Sequence, residues 1–295
     1  MRINTNVASL NAQESATQTN KNLRSSLEKL SSGLRINKAS DDASGMAIAD
    51  KLRTQASSLG QAVANGNSAV ALTQIADKAM GEQSNILDIV KQKLLQAGTA
   101  TTSTAGQQAI AKDIKKLLTQ LDNIATQTNY NNVQLLQKSS SSNSAASSLT
   151  FQMGETSANT ISTSSGVQAN TSGLSLSSMK GSIDSSTAGA HSISSTNRAA
   201  NASAARGMLV EIDNALTKLN SWRSDYGSTQ NQLESSIRNL STAQTNLKAA
   251  ESVIRDVDYA QETANFNKQN IIAQAGTYAI SQANAMQQNV TRLLQ

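Results

Sequence analysis

An unbroken seam of apolar residues near the carboxyl end places the strongest constraint on how this chain can fold. From Leu209 to Ile254, a series of fourteen positions runs at alternating intervals of three and four residues, and ten of the fourteen are apolar. This spacing predicts one helix of about 70 Å, at about 1.5 Å per residue, packed lengthwise against partner helices. Proline, which breaks helix interiors, is absent from all 295 residues, so long helices are permitted throughout. One amphipathic helix on a globular domain is the alternative, although such helices are typically shorter.

Both ends of the chain carry narrower apolar stripes with the same spacing. The stripe residues are Ile3, Val7, Leu10, Leu23, Leu27, Leu30 and Leu34 at the amino end, and Ile272, Ala279, Ala283, Met286, Val290 and Leu293 at the carboxyl end. Lone helices with such narrow stripes are marginal in water. We therefore expect the two ends to pair with each other and with neighbouring copies of the chain.

Two further helices are predicted between the ends. Apolar spacing begins at Ile48 and continues with some irregularity to about Leu95, and a cleaner seam runs from Ile110 to Ile124. The small, polar segment 98–106 lies between them and predicts a turn. These two helices should therefore fold back antiparallel.

The composition changes abruptly from residue 139 to residue 196. Heptads vanish here, and 28 of the 58 residues are Ser or Thr. The pattern indicates an exposed region of loops with short strands, and residues 148–161 are the one candidate for a β-hairpin. Flexible Ser-rich linker behaviour is the alternative. The predicted fold class is mainly α, a long antiparallel helical bundle or coiled coil formed by the two halves, with a small β-hairpin region in the middle.

The residue content argues against an enzyme. Cysteine is absent, and the single histidine, His191, has no recognisable acid partner nearby in the sequence. No nucleophile elbow, phosphate-binding loop or metal-ligand cluster occurs, and Asp256 and Asp258 would point to different faces of a helix. We therefore expect no catalytic residue, no cofactor and no metal.

Charge and hydropathy argue against nucleic-acid and membrane partners. The net charge of +5 is spread along the chain without a basic block. No run of about 20 apolar residues occurs, so we expect no membrane insertion. The first ten residues lack the apolar core of a signal peptide, so we expect any secretion to proceed without a cleaved signal.

Ordered motifs at both ends carry a family resemblance. The amino-terminal motifs are MRINTNVASL at 1–10, LEKLSSG at 27–33, LRINKASDDASGMAIA at 34–49 and NYNNVQLL at 129–136. The carboxyl-terminal motifs are ESVIRDVDY at 251–259, NIIAQAG at 270–276 and QANAMQQNVTRLLQ at 282–295. With these motifs the sequence resembles bacterial flagellin over roughly 1–137 and 205–295. The Ser/Thr-rich middle is unmatched.

The resemblance implies a division into three parts. Residues 1–42 with 256–295 would form an inner paired-helix domain in the filament core, and 43–137 with 197–255 a helical rod. Residues 138–196 would form a Ser/Thr-rich exposed region with short β elements. Because about sixty residues separate the two matching halves, we expect this chain to lack large outer domains. The hydroxyl groups could carry O-linked glycans or form a simple solvated surface.

The function implied by the resemblance is that of a structural subunit of the flagellar filament. The family is exported through the flagellar type III channel and polymerises at the distal tip, outside the cell, into the propeller used for motility. The implied partners are further copies of the chain, an export chaperone, the cap protein and the hook-filament junction proteins.

The connector after the first helix has two interpretations. Asp41 and Asp42 precede a predicted helix, where an acidic side chain caps free N–H groups and meets the positive end of the helix dipole. The family also places this connector, with Arg35 and Asn37, where subunits touch inside the filament.

A further expectation concerns an innate immune Toll-like receptor. Many flagellins are recognised through an Arg and a Leu in a segment that resembles residues 84–97. Alignment on Leu87, Val90 and Gln96 puts Ile89 at the Arg position and Lys93 at the Leu position. Losing a guanidinium and placing an ammonium at an apolar contact should each weaken binding.

Three alternatives to a filament subunit remain open at this point. A hook-filament junction protein and a type III needle or translocator protein would share secretion and helical ends. A cytoplasmic coiled-coil adaptor is the third.

Overall fold

The computed structural model describes residues 6–138, 145–184, 193 and 197–293, and side chains are described for all of these except 182–184, 287 and 290–293. Six helices and two pairs of short strands occur in the described part of the chain. In order they are α1 (Val7–Ser32), α2 (Ala43–Ala97), α3 (Thr104–Gln127), β1 (Asn129–Tyr130), β2 (Val133–Gln134), β3 (Thr150–Gln152), β4 (Thr160–Ser162), α4 (Ser177–Asp184), α5 (Arg198–Arg255) and α6 (Tyr259–Leu293). The mainly α-helical prediction is confirmed, and α5 covers the whole predicted seam.

The chain divides into two compact units. The terminal unit comprises residues 1–57 and 243–295, and the central unit comprises 58–242. Helices α2 and α5 contribute residues to both. The three-part division expected from the sequence remains a prediction.

In the terminal unit, α1 and α6 pair antiparallel. The Asn6 amide donates to the Ala283 carbonyl over 3.1 Å, and a Cβ on Gly276 would lie 3.8 Å from that of Ala16. Asn6 also caps the start of α1, since its side-chain oxygen accepts from the Ser9 N–H at 3.1 Å. Gly33 ends the helix at φ +72°, a left-handed conformation that suits glycine.

In the central unit, α2 runs antiparallel to both α3 and α5. Gln107 donates to the Ala97 carbonyl and Gln83 to the Leu121 carbonyl, so α2 and α3 fold back as predicted. Arg206 donates to the Gly98 carbonyl, which fixes the direction of α5 in the same way. Large aliphatic side chains fill the space between the helices and are fully buried: Leu87, Leu94, Ile114, Leu118, Leu121, Ile212 and Leu219.

Two antiparallel hairpins complete the central unit. In the first, Tyr130 pairs with Val133, and Asn131 and Asn132 form the turn at φ 50° and 64°, values that asparagine tolerates. The second hairpin, β3 with β4, confirms the candidate at 148–161. It packs on α2 at Gly66, where a Cβ would lie 2.7 Å from the Met153 methyl group.

The expectation of an exposed middle region does not hold for residues 167–179. Val167, Leu174, Leu176 and Met179 are buried in the core of the central unit, and α4 was not predicted. The core helices hold this segment through polar side chains. Gln83 donates to the Ala169 carbonyl, Asp122 accepts from Thr171 and Lys180, and Lys218 donates to the Gly173 carbonyl. Contacts of this kind leave no periodic signal in a sequence.

Candidate self-assembly surface

The seam between α1 and α6 consists mostly of small residues. Buried and half-buried residues recur at alternating intervals of three and four along both helices. On α1 they are Ser9, Ala12, Ala16, Thr19, Leu23, Ser26 and Leu30; on α6 they are Glu262, Phe266, Gln269, Ala273, Gly276, Ile280 and Ala283. Small side chains let two helices approach closely but bury little apolar area. Most of the large apolar residues of both helices must therefore lie elsewhere.

The predicted stripes coincide with this seam only in part. Leu23, Leu30 and Ala283 lie in the seam, and Leu34 is half-buried just after α1. Three others from α1 are exposed, Val7, Leu10 and Leu27. Ile3 lies outside the described residues, and Val290 and Leu293 lie in α6 without a described side chain. The stripes were placed by their apolar spacing, whereas the pairing uses a row of smaller residues beside them.

The exposed side of α6 is rich in large apolar side chains. Ile272 and Met286 from the predicted stripe are 42% and 63% exposed, with exposed Ala279 between them in the same row. Ile271 and Tyr278, which the sequence reading missed, are 67% and 74% exposed. The seven-residue interval between Ile271 and Tyr278 puts both on one row opposite the seam and could have revealed them. Helix α6 thus presents apolar surface on two sides.

The connector between α1 and α2 is held by its own chain. Asp41 accepts from the Asn37 and Lys38 N–H groups at 3.1 and 3.0 Å, and the hydrogen bond from Lys38 is the main reason that the pKa of Asp41 is lowered. Asp42 accepts from the Gly45 N–H at 2.9 Å and so caps the start of α2. The capping interpretation therefore has direct geometric support.

Asn37 and Arg35 also bond within the chain. The Asn37 amide donates to the Ser32 hydroxyl at 2.7 Å. The Arg35 guanidinium donates to the Ile254 carbonyl at 2.6 Å, close to the carboxyl end of α5. Lys38 pairs with Glu28 at 2.7 Å, and this pair raises the pKa of Lys38. The connector is thereby tied to α1 and to α5. A role in contacts between subunits stays a prediction.

The two positions singled out for the immune receptor lie on α2 in the central unit. Ile89 is exposed. The Lys93 ammonium lies 3.2 Å from the Asp113 carboxylate of α3. The side chain at position 93 is therefore already engaged in an ion pair.

Neither a metal-binding cluster nor a membrane-spanning helix occurs among the described residues. Within the described ranges, no group of three or more His, Asp or Glu side chains is arranged to hold a metal ion. In that same part of the chain, no helix is long and apolar enough to cross a membrane. His191 lies outside the described residues.

Comparison with known proteins identifies the family. The profile of the bacterial flagellin N-terminal helical region matches residues 3–141, and that of the C-terminal helical region matches residues 209–294. Flagellin of Bacillus subtilis is 37% identical over 308 aligned positions, which cover the whole of both chains. This chain belongs to the bacterial flagellin family. The resemblance inferred from the terminal motifs is thereby confirmed.

Two other flagellin relatives also match this chain over its whole length. The flagellar filament 33 kDa core protein of Treponema phagedenis is 31% identical with full coverage of both chains. Flagellin B of Helicobacter pylori is 30% identical over 511 aligned positions, covering all of this chain and 99% of the relative. A chain of 295 residues therefore corresponds to a short flagellin without the long insertion of the Helicobacter protein. A crystal structure of Bacillus cereus flagellin superposes with a TM-score of 0.46 at 25% identity, over 64% of this chain and 94% of that one.

Proposed function

We propose that this flagellin polymerises through the faces of α1 and α6 that point away from their shared seam. As a member of the family, the chain is a structural subunit of the bacterial flagellar filament, which lies outside the cell. The proposal adds which residues make the contacts between copies. It assigns these contacts to the exposed residues of the predicted set and adds two more. The exposed members are Val7, Leu10, Leu27, Ile272 and Met286, and the additions are Ile271 and Tyr278.

One observation carries this proposal: α6 is apolar on two sides, and only one side has a partner in the single chain. Ala273, Gly276 and Ile280 face α1, whereas Ile271 and Tyr278 are more than two-thirds exposed on the opposite row. A helix with apolar surface on two sides is normally buried on both. Contiguous exposed apolar surface of this kind marks an interaction site.

Val7 and Leu10 supply a complementary apolar surface on α1. Both side chains are more than half exposed and lie away from α6. Burial of apolar area is non-directional, so the outward rows of α1 and α6 from different copies can cover one another. Such a contact joins two different surfaces, and repeating it generates an open helical assembly when the rotation between copies does not close a ring.

Removal of either end tests the proposal. Chains lacking residues 1–33 or 270–295 are expected to keep the central unit folded and to form no filaments. Trp222 is the single tryptophan and is buried in the central unit, so its fluorescence reports on that unit alone. Electron microscopy and sedimentation after salt-induced assembly measure polymer. Normal filaments from either truncated chain would contradict the proposal.

The same assay separates the filament subunit from the nearest alternative. A hook-filament junction protein is not expected to form long filaments alone, whereas the intact chain should do so. We also propose, on family membership, export through the flagellar type III channel with a chaperone, and assembly beneath a cap protein onto the junction proteins. Pull-down with the purified chaperone, comparing the intact chain with the chain lacking 270–295, checks the first of these partners.

Recognition by the innate receptor is proposed to be poor. Ile89 offers no guanidinium, and the ammonium of Lys93 is paired with Asp113. Signalling should rise when Ile89→Arg and Lys93→Leu are combined, with Val210→Ser as the control at an exposed site on α5. An unchanged signal from the double variant would remove the idea.

A further inference from the structure

The small residues of the seam between α1 and α6 specify only weakly the register of the two helices, that is, which residue of one helix lies opposite which residue of the other. Ala12 and Ala16 on α1 face a row that contains Ala273 and Gly276 on α6. A shift of seven residues would set Ala16 against Ala283 or Gln269 in place of Gly276. The large apolar side chains of the seam that oppose such a shift are Leu23, Leu30, Phe266 and Ile280. Within the described part of the chain, one hydrogen bond crosses this seam, from Asn6 to Ala283. The small residues therefore leave room for another feature to select the register.

The connector supplies that feature at the opposite end of the pair. The Arg35 N–H donates to the Arg255 carbonyl at 2.6 Å, and the Val257 N–H donates to the Gly33 carbonyl at 3.0 Å. Leu34 and Asp256 form an antiparallel bridge between these two bonds. Strand-like pairing repeats every two residues, so a slip of one residue breaks both bonds. The end of α1 is thus pinned to the residues just before α6.

The Arg35 side chain closes this pairing. Its guanidinium donates to the Ile254 carbonyl at 2.6 Å, one residue before α5 ends. The last carbonyls of a helix lack intrahelical partners and carry the negative end of the dipole, so they favour a cationic donor. Tyr259 packs against Gly33 beside this pairing, because a Cβ added to Gly33 would lie 2.9 Å from the Tyr259 hydroxyl oxygen.

We propose that Arg35 is a positioning residue that sets the register of α1 against α6. It acts through the carbonyl groups of Ile254 and Arg255 rather than by touching another copy. The register decides which outward residues of α1 and α6 stand side by side, so Arg35 controls the shape of the assembly surface from a distance. This inference rests on the proposed function only in its consequence for polymerisation. The register itself is a property of the single chain.

The absence of cysteine allows the register to be measured by disulfide formation. Ala16→Cys with Gly276→Cys reports the native register, because the 3.8 Å between their Cβ positions lies in the range of about 3.5–4.5 Å found in disulfides. Ala16→Cys with Gln269→Cys or with Ala283→Cys reports a shift of one heptad in either direction. Disulfide yield is measured in the free full-length chain, and circular dichroism checks the helix content of each variant.

The native pair should form much faster than either shifted pair when Arg35 is present. Arg35→Gln should lower this preference by about tenfold, the factor expected for the loss of one charge-assisted hydrogen bond. Arg35→Lys, which keeps the charge without the planar fork, should lie between. Arg24→Gln removes the same charge from an exposed position of α1 and should leave the preference unchanged. Closing the native disulfide in the Arg35→Gln chain should restore polymerisation.

Two results would overturn the proposal. The first is an unchanged preference in Arg35→Gln, even if polymerisation fails, since Arg35 would then act by contact with another copy. The second is equal yield from all three pairs in the chain with Arg35. If Arg35→Gln lowers the preference and polymerisation fails, but closing the native disulfide does not restore it, the register role stands and its proposed consequence for polymerisation is wrong.

Discussion

In the central unit the side chains of Leu87, Ile114 and Leu118 are fully buried, whereas in the α1–α6 pair those of Leu10, Ile271 and Met286 are more than half exposed. Both regions consist of helices with heptad spacing. The core of the central unit includes residues of the three long helices α2, α3 and α5. A helix packed between two others can bury a wide apolar stripe. A two-helix pair covers one narrow row on each helix. The difference shows that heptad spacing alone does not distinguish apolar residues buried within the chain from apolar residues that are exposed in the single chain.

The largest expected effect comes from the outward row of α6. Ile271→Ser combined with Tyr278→Ser should raise the critical concentration for polymerisation by roughly 100-fold or more, since two large apolar side chains would lose their burial. Sedimentation of the polymer measures this. Val210→Ser, at a similarly exposed site in the central unit, is the matched control and should polymerise normally. Equal critical concentrations in all three chains would break the comparison.

A substitution in the core of the central unit should lower the stability of that unit. Leu118→Ala is expected to lower the free energy of unfolding of the central unit by about 2–5 kcal/mol, because it leaves a cavity among α2, α3 and α5. Urea titration followed by Trp222 fluorescence reports this change. Leu27→Ala, at a half-exposed position of α1, should leave the free energy of unfolding of the central unit within about 0.5 kcal/mol of the original. A large shift from Leu27→Ala would argue against independent units.

Alkaline pH should weaken the central unit through Tyr226. Burial raises the pKa of this tyrosine from 10.0 to about 12. The tyrosine therefore ionises at lower pH in the unfolded chain than in the folded one. Its contribution to the free energy of unfolding is fully present below pH 10 and is lost as the pH rises towards 12, by roughly 2–3 kcal/mol in total. Urea midpoints between pH 9 and 11.5 measure the fall. Tyr226→Phe should flatten it, and an equal slope in that variant would assign the effect to other groups.

The smallest expected effect concerns the connector in the terminal unit. The pKa of Asp41 is lowered below its usual 3.8, first by the hydrogen bond from the Lys38 N–H. The stabilisation of the connector by ionised Asp41 is therefore present above about pH 3.8 and is lost as the pH falls through the pKa of the folded state. Amide hydrogen exchange at Asn37 and Lys38 should accelerate relative to neighbouring helix amides on acidification. In Asp41→Asn the relative rates should no longer depend on pH in this range.

Much of this fold could be predicted from the sequence because long helices have a periodic pattern of apolar residues. The seam at 209–254, the antiparallel pair α2 and α3, the hairpin at 148–161 and the flagellin motifs all rest on spacing or on local residue order. The buried segment 167–179 was missed because its anchors, Gln83, Asp122 and Lys218, lie far away in the chain. Ile271 and Tyr278 were missed because the predicted stripe, which begins at Ile272, lies on a neighbouring row of α6.

The sequence by itself determined the helical class, the order of the helices and the family, since each depends on residues close together in the chain. Only the tertiary structure decided which rows of α1 and α6 face each other and which remain exposed. That choice depends on the close approach of small residues such as Ala16 and Gly276, and on the pairing of the Arg35 connector with the end of α5. Contacts between residues more than 200 positions apart have no period along a single chain, so apolar spacing could name the candidate stripes but could not choose between them.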